Sequence, residues 1–88
     1  DLKEVQYFKS ESNYISIAFR GKKIMTLMTM KDLAEKIPNY FTRVHRSFIV
    51  NLNEIEAIEK GNILIGQQEI PISETYEKDL LERIKLLN

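Results

Sequence analysis

The segment FTRVHRSFIVN, residues 41–51, holds the side chains of this 88-residue chain that are best suited to chemistry. It places Arg43, His45, Arg46 and Ser47 within five positions, and His45 is the only histidine. A histidine near a serine raises the question of nucleophilic catalysis, in which the imidazole takes the proton of the hydroxyl.

This spacing does not indicate catalysis. A catalytic base needs a nucleophile within hydrogen-bond reach and a third group that orients it, and residues two apart on a strand point the same way without forming such a triad. The chain has no glycine-rich phosphate loop, nucleophile elbow or paired-histidine metal motif. We therefore predict no enzymatic activity, no metal site, no cofactor and no small-molecule substrate.

Two interpretations of the segment remain open. Arg46 stands where the chain leaves the core, and a guanidinium there can grip a phosphate or donate two hydrogen bonds to a guanine edge. Alternatively, Arg43 pairs with an acid and His45 caps a backbone carbonyl, which is a purely structural role. For a lone histidine in a small β domain, residue types alone favour the structural role.

Charge is distributed unevenly in a chain whose formal net charge is zero. Residues 1–47 carry nine Lys and Arg against five Asp and Glu, whereas residues 48–88 carry four against eight. Such polarity can give a neutral protein one face that attracts a polyanion, although scattered, solvated charges would produce the same counts. The absence of cysteine and of any apolar stretch of about 20 residues agrees with a cytoplasmic location.

The hydrophobic pattern predicts a single, mainly β domain with six or seven short strands in antiparallel meanders, one short inserted helix and a C-terminal helix. The predicted strands are 4–9, 13–19, 23–28, 47–51, 54–59, 63–66 and 68–72, and the inserted helix is 30–37. Segment 42–46 is either a strand end or a turn. Hairpin turns are expected at 20–23 and at Gly61-Asn62, and Pro71 suits an edge strand.

Several side chains have predicted structural roles. In strand 13–19, Ile15, Ile17 and Phe19 should form the one buried face, opposite Tyr14, Ser16 and Ala18. Within 42–48, Arg43 and His45 should share a face, with Arg46 opposite, alongside Phe48. Thr29 should cap the short helix together with Asp32, and Asn51 should bond to the backbone. Ser73 should cap the last helix, of about 12–14 residues. Its apolar stripe is Tyr76, Leu80, Ile84 and Leu87, with Leu81 widening it.

Three segments, in order along nearly the whole chain, resemble the LytTR family of bacterial DNA-binding domains. The most specific is FTRVHRSFIVNLNEI, residues 41–55, which is similar to that family's hallmark segment. VQYFKSESNYISI, residues 5–17, resembles its early motif, and IPIS, residues 70–73, with Tyr76 resembles its terminal motif.

The resemblance implies an elongated fold of stacked antiparallel sheets in which loops between strands, rather than a recognition helix, enter successive major grooves of DNA. The implied contact residues come from three places: Ser12, Asn13 and Tyr14; His45, Arg46 and Ser47; and Ser73, Glu74 and Thr75. We expect Arg46 to be the first candidate for a base contact. Arg43 and His45 come next, and either of them could orient the loop instead. Lys9, Arg20, Lys22 and Lys23 would add weaker phosphate contacts. The family usually carries a basic residue directly after the terminal serine, whereas Glu74 and Thr75 stand here.

The function implied is sequence-specific binding of double-stranded DNA by a bacterial transcriptional regulator of a two-component system. Residues 1–88 would be one domain, the C-terminal part of a longer protein whose N-terminal receiver domain controls it; some family members carry membrane segments instead. Binding as a pair of copies on repeated half-sites is also implied. The alternative, suggested by the zero net charge and Glu74, is a protein-interaction or dimerisation module of the same fold that does not bind DNA.

Overall fold

The computed structural model describes residues 1–86. Its elements are β1 (Tyr7–Glu11), β2 (Tyr14–Phe19), β3 (Lys22–Leu27), α1 (Met30–Ala34), β4 (Phe41–His45), β5 (Phe48–Asn51), β6 (Ala57–Glu59), β7 (Asn62–Ile65), β8 (Gln68–Pro71) and α2 (Glu74–Leu86). Short 3-10 helices occupy Leu2–Glu4 and Leu52–Glu54. The described residues thus hold more strands than predicted, because segment 41–45 forms a strand of its own.

The strands form two antiparallel sheets, which confirms the predicted mainly β class. The larger sheet has five strands in the order β3-β2-β1-β5-β4, and the smaller has three in the order β6-β7-β8. β1 lies at the centre of the larger sheet and pairs with both β2 and β5. The domain measures 32 × 26 × 22 Å along its principal axes.

Hydrophobic clusters cover both faces of the larger sheet. One cluster lies between the two sheets and is closed by α2; its members include Tyr7, Ala18, Val44, Val50, Ile63, Ile65, Ile70 and Leu80. The other lies under α1 and includes Phe8, Ile15, Met30, Leu33, Phe41 and Ile49. Successive residues of a strand point to opposite faces, so β1 sends Tyr7 to the first cluster and Phe8 to the second.

The prediction that only one face of β2 is buried is therefore wrong. Ile15 is buried on one side, and Ser16 and Ala18 are buried on the other. The predicted alternation of β2 is confirmed, but the second sheet covers the face that carries Ser16 and Ala18.

Both predicted helices are present, but α1 is shorter than predicted. The Thr29 hydroxyl accepts a hydrogen bond from the Asp32 backbone N–H at 3.1 Å, as expected of the cap. α1 ends at Ala34 rather than at residue 37, because a tight turn in which the Lys36 N–H bonds to the Leu33 carbonyl follows it. α2 has 13 residues, within the expected length.

The predicted stripe of α2 is narrower than expected. Leu80 is fully buried, whereas Leu81 is 50% exposed and does not widen the stripe. Tyr76 and Ile84 are half-buried beside Leu80, and Leu87 lies outside the described residues. Within residues 1–86, no helix is both long and apolar enough to cross a membrane.

The hairpin turn at Arg20-Gly21 and one buried amide agree with the sequence. The second hairpin turn is Lys60-Gly61, one residue before the predicted Gly61-Asn62, because Asn62 already begins β7. Gly21 has a φ of 78°, and Lys60 and Gly61 have φ values of 45° and 80°, which are the two positive values that a tight hairpin turn requires. Asn51 is buried and bonds only to backbone: its Nδ2 donates to the Val5 carbonyl and its Oδ1 accepts from the Asn53 N–H, both at 2.9 Å. Pro71 lies on the edge strand β8, as predicted.

Candidate nucleic-acid interface

Segment 41–51 forms a β-hairpin. β4 and β5 flank a two-residue turn, Arg46-Ser47, and the pairing shifts by one residue between Arg43 and His45. Arg43 lies opposite Ile49, whereas His45 lies opposite Phe48. Because Ile49 and Phe48 point to opposite faces, this bulge separates Arg43 from His45. The expected shared face of these two residues is therefore wrong, and Arg46 lies in the turn rather than on a strand beside Phe48.

Arg43 supports this turn through hydrogen bonds to the backbone. Its Nε donates to the His45 carbonyl at 3.3 Å, and its Nη2 donates to the Arg46 carbonyl at 2.6 Å. Its guanidinium also lies over the Tyr76 ring, 5.6 Å from the centroid. The predicted alternative of an Arg43–acid pair is thus replaced by bonds to backbone carbonyls.

His45 orients the same turn. Its Nδ1 accepts a hydrogen bond from the Ser47 backbone N–H at 3.1 Å, so it does not cap a carbonyl as the structural interpretation supposed. Its ring packs edge-on against Phe48, with the centroids 5.8 Å apart. With Nδ1 as the acceptor, a neutral ring carries its proton on Nε2.

Arg46 is the exposed member of the set. Within residues 1–86, its guanidinium makes no hydrogen bond or ion pair, and only its carbonyl is engaged, by Arg43. Arg43 thus holds the Arg46 carbonyl and His45 holds the adjoining Ser47 N–H, while the Arg46 side chain stays available to an external partner.

The β1–β2 turn lies directly beside this hairpin. The Ser10 N–H donates to the Ser47 carbonyl at 2.8 Å, which ties the two turns together. Ser12, which has a φ of 55°, and Asn13 form the turn and are exposed, and the Tyr14 side chain is partly exposed. The predicted first and second contact segments are therefore adjacent.

An open groove of about 580 Å³ runs between these turns, and we call it the apical groove. Its lining consists of Ser10, Ser12, Asn13, Leu27, Met28, Thr29, Met30, Asp32, Arg43 and Arg46. The β3–α1 connection, Met28-Thr29, was not predicted to be part of the site. The hairpin register could have indicated it, because Leu27 pairs with Tyr14 at the same end of the sheet.

The third predicted segment joins the same end through α2. The Ser73 N–H donates to the Val44 carbonyl at 2.9 Å, which brings exposed Glu74 and Thr75 close to β4. Ser73 precedes the helix, but its hydroxyl does not cap it: the Tyr76 and Glu77 N–H groups bond to its carbonyl. The hydroxyl oxygen is buried and has no hydrogen-bond partner in the described part of the chain.

The structure does not bring Lys22 and Lys23 to this end. Lys22 pairs with Phe19, at the far end of β2 from Tyr14. The six-residue strand between them spans roughly 17 Å at about 3.3 Å per residue. Arg20, also at the far end, forms an exposed ion pair with Glu54 at 3.6 Å. Lys9 is nearer the apical groove and lies over the Phe48 ring at 5.8 Å.

Comparison with known proteins finds similar sequences and a similar fold. A family model described as the LytTr DNA-binding domain matches residues 1–85. The sensory transduction protein LytT of Bacillus subtilis strain 168 is 30% identical over 87 residues, which cover 91% of this chain and 36% of that protein. LytT of Bacillus cereus is 27% identical over 93 residues, covering 98% and 38%. The chain thus spans less than two fifths of the length of these curated relatives.

A solved structure is similar over most of the fold. It is described as the LytTr DNA-binding domain of a response regulator from Bacillus cereus. It shares 25% sequence identity with this chain, has a TM-score of 0.74, and the match covers 90% of this chain and 82% of that one.

Proposed function

This chain belongs to the LytTr DNA-binding domain family, and we propose that it binds double-stranded DNA sequence-specifically through the two turns that border the apical groove. The observation that carries the proposal is the state of Arg46. Its guanidinium is exposed and unpaired within the described residues, while Arg43 and His45 hold the turn that carries it. A binding group is most effective when its scaffold is already ordered before the partner arrives.

Arg46 and Asn13 are the groups suited to reading bases. Arginine can donate two hydrogen bonds to the O6 and N7 of guanine in the major groove, and asparagine can bond to both N6 and N7 of adenine. Both side chains are exposed at the tips of adjacent turns. We assign the base contacts to these two residues, with Ser47 and Tyr14 beside them.

The third segment would contribute differently from a basic one. Glu74 repels phosphates, but its carboxylate can accept a hydrogen bond from the amino group of cytosine. Thr75 is exposed next to it and can donate or accept a hydrogen bond. Lys9, whose ammonium lies 5.8 Å from the centroid of the Phe48 ring in the adjoining hairpin, is suited to a phosphate contact.

In the whole regulator, we propose that this domain supplies the DNA contact and that an N-terminal receiver domain controls it by phosphorylation. The support is that relatives named as sensory transduction proteins are more than twice as long as the segment they share with this chain. Control of transcription and binding as a pair of copies on repeated half-sites belong to the same proposal.

The test begins by selecting bound duplexes from a random pool and titrating the selected duplex against a scrambled one. Arg46→Ala should cost about 1–3 kcal/mol of binding free energy on the selected duplex and less on the scrambled duplex. Lys85→Ala removes an exposed cation near the end of α2 and should change neither.

Two outcomes would contradict this assignment. An equal loss on both duplexes would mean that Arg46 contacts only phosphate. If the wild-type chain bound no duplex even at low salt, DNA binding itself would be wrong, and the protein-interaction module would be the better description. A true binder should instead show a log–log salt slope near −0.9 per phosphate contacted.

A further inference from the structure

β3 is a long strand with an open edge. It lies at one side of the five-stranded sheet, and five of its six residues are exposed. Ile24, Met25 and Leu27 are 45%, 52% and 70% exposed. Its lysines stand at the beginning of the strand, so the remaining four residues present apolar side chains and a threonine.

The other sheet edges of the described residues are short or covered. β4, at the opposite side of the larger sheet, packs against α2. β6 has three residues, and β8 has four and contains Pro71. Short strands, prolines and covering elements are the usual protection of an edge against pairing with another chain. β3 is longer and uncovered, and its protection is confined to Lys22 and Lys23 at the beginning of the strand.

We propose that two copies of this chain pair through β3 in an antiparallel manner, with Met25 lying opposite the partner's Met25. A two-fold axis perpendicular to the sheet generates this arrangement and presents the same surface on both copies. Ile24 then lies opposite the partner's Thr26, and Lys23 opposite the partner's Leu27. No lysine faces a lysine, so the register avoids the repulsion of like charges directly across a ladder.

The antiparallel arrangement also changes which cations border the apical groove. In this register the partner's Lys22 lies opposite Met28, which lines the groove, and the partner's Lys23 lies opposite Leu27, which lines it too. Lys22 and Lys23 are remote from Arg46 within their own chain. Pairing through β3 therefore brings two cations of one copy to the groove of the other.

This part of the inference rests on the proposed function, since it makes the DNA-binding site a shared one. Each groove would combine Arg46 and Asn13 of one copy with Lys22 and Lys23 of its neighbour, and the lysines would contact phosphates. The two grooves lie at opposite ends of the joined sheet and face away from each other, so the two copies that occupy repeated half-sites of one duplex would belong to different dimers.

Cross-linking tests the pairing without DNA. The chain has no cysteine, so a single substitution introduces the only thiol. Directly opposed strand residues have Cβ atoms about 4.5–5.5 Å apart, close to what a disulfide requires after a small shift. Met25→Cys should form a covalent dimer on mild oxidation. Leu81→Cys, which is equally exposed but lies on α2, should stay monomeric.

A second pair of substitutions checks the register. A mixture of Ile24→Cys and Thr26→Cys chains should cross-link to each other more readily than either chain does to itself. If Leu81→Cys cross-linked as readily as Met25→Cys, or if neither the 25–25 nor the 24–26 combination cross-linked, pairing through β3 would be wrong.

Complementation tests the shared groove. In covalent dimers linked through Met25→Cys, one copy carries Arg46→Ala and the other carries Lys22→Glu with Lys23→Glu. Only this mixed dimer has one groove with Arg46 and both lysines intact. It should bind the selected duplex with nearly the affinity of the unmodified linked dimer, but at half the number of sites. The dimer with Arg46→Ala in both copies and the dimer with Lys22→Glu and Lys23→Glu in both copies should bind weakly. The dimer with both lysines replaced should also have a salt slope lower by about 1.8, the value for two lost phosphate contacts.

The possible failures are distinguishable. If the mixed dimer bound no better than the uniform variants while the unmodified linked dimer bound well, the lysines would not act on the neighbouring groove and the shared site would be wrong. If the unmodified chain bound no DNA in any form, the proposed function would fail, whereas the cross-linking result would still decide the pairing.

Discussion

At the scale of single residues, the arginine–histidine segment divides its work among three side chains. Arg43 donates to two carbonyls of the turn, His45 accepts from the Ser47 N–H, and Arg46 projects outward without a partner in residues 1–86. Two residues of basic type are thus used to shape the backbone, and one is left for binding. The planar fork of Arg43 can bond two carbonyls at once, which a lysine ammonium on its flexible chain does less well.

Arg43→Lys should therefore weaken DNA binding without removing a DNA contact. The turn would lose one or both carbonyl bonds and the contact over Tyr76, so Arg46 would be held less firmly. We expect the free energy of unfolding to fall by about 1.5 kcal/mol, the low end of the range for hydrogen bonds to charged groups, as measured by urea denaturation. Affinity for the selected duplex should fall as well.

Comparison with Arg46→Ala separates the two roles. Arg46→Ala should leave the urea midpoint nearly unchanged, because its side chain is exposed and makes no hydrogen bond or ion pair within residues 1–86. Arg43→Lys with unaltered stability and unaltered affinity would show that the turn does not depend on the Arg43 bonds.

At the scale of elements, short segments align the apical end. The bulge in β4 aims His45 and Arg43 in different directions, and the β1–β2 turn is tied to the β4–β5 hairpin by one backbone bond, Ser10 N–H to Ser47 carbonyl. α1 is only five residues long and is capped by Thr29, which lines the apical groove. A helix this short depends on its cap and on its packing rather than on intrinsic helix propensity.

Thr29→Ala should destabilise the domain by about 1 kcal/mol, because the Asp32 N–H loses its acceptor. Urea denaturation followed by circular dichroism measures this change. Thr29→Ser retains a hydroxyl that can cap and should stay within a few tenths of a kcal/mol of the wild type. Equal losses in the two variants would mean that the Thr29 methyl group, rather than the cap, is what matters.

At the scale of the whole molecule, one cluster unites the two sheets and α2. Leu80 is fully buried in it, among side chains of the larger sheet and of the three-stranded sheet. The smaller sheet has only short strands, and a three-stranded sheet needs a packed hydrophobic face to be stable. The two sheets should therefore unfold together.

Leu80→Ala should cost about 2–5 kcal/mol, the range for a large-to-small change at a buried site. Urea denaturation should show one transition at a lower midpoint by both circular dichroism and tyrosine fluorescence. Leu81→Ala is the matched control, because the Leu81 side chain is next in sequence to Leu80 but half exposed. This substitution should lower the free energy of unfolding much less. Two separate transitions in Leu80→Ala would show that the sheets are independent units.

Much of the local structure could be predicted from the residues themselves. The turns at Gly21 and Gly61, the cap at Thr29 and the length of α2 follow from backbone preferences and hydrophobic spacing that act over a few residues. The C-terminal end of α1 lies three residues before the predicted one, because the tight turn after Ala34 competes with the helical pattern. The predicted cap by the Ser73 hydroxyl is wrong, because that hydroxyl is buried and the Tyr76 and Glu77 N–H groups bond to the Ser73 carbonyl instead.

The candidate site was predictable as a set of residues but not as an arrangement. The sequence by itself determined the antiparallel, mainly β class and the segment 41–51 that carries the basic residues, because periodicity, turn chemistry and motif order are local properties of the chain. Only the tertiary structure decided that Arg43 supports the turn while Arg46 is exposed, that Asn13 lies beside them, and that Lys22 and Lys23 lie at the far end. The physical reason is that β1 pairs with β5, some 40 residues along the chain, and that a one-residue bulge redirects every side chain after it; such non-local contacts leave no periodic signal in the sequence.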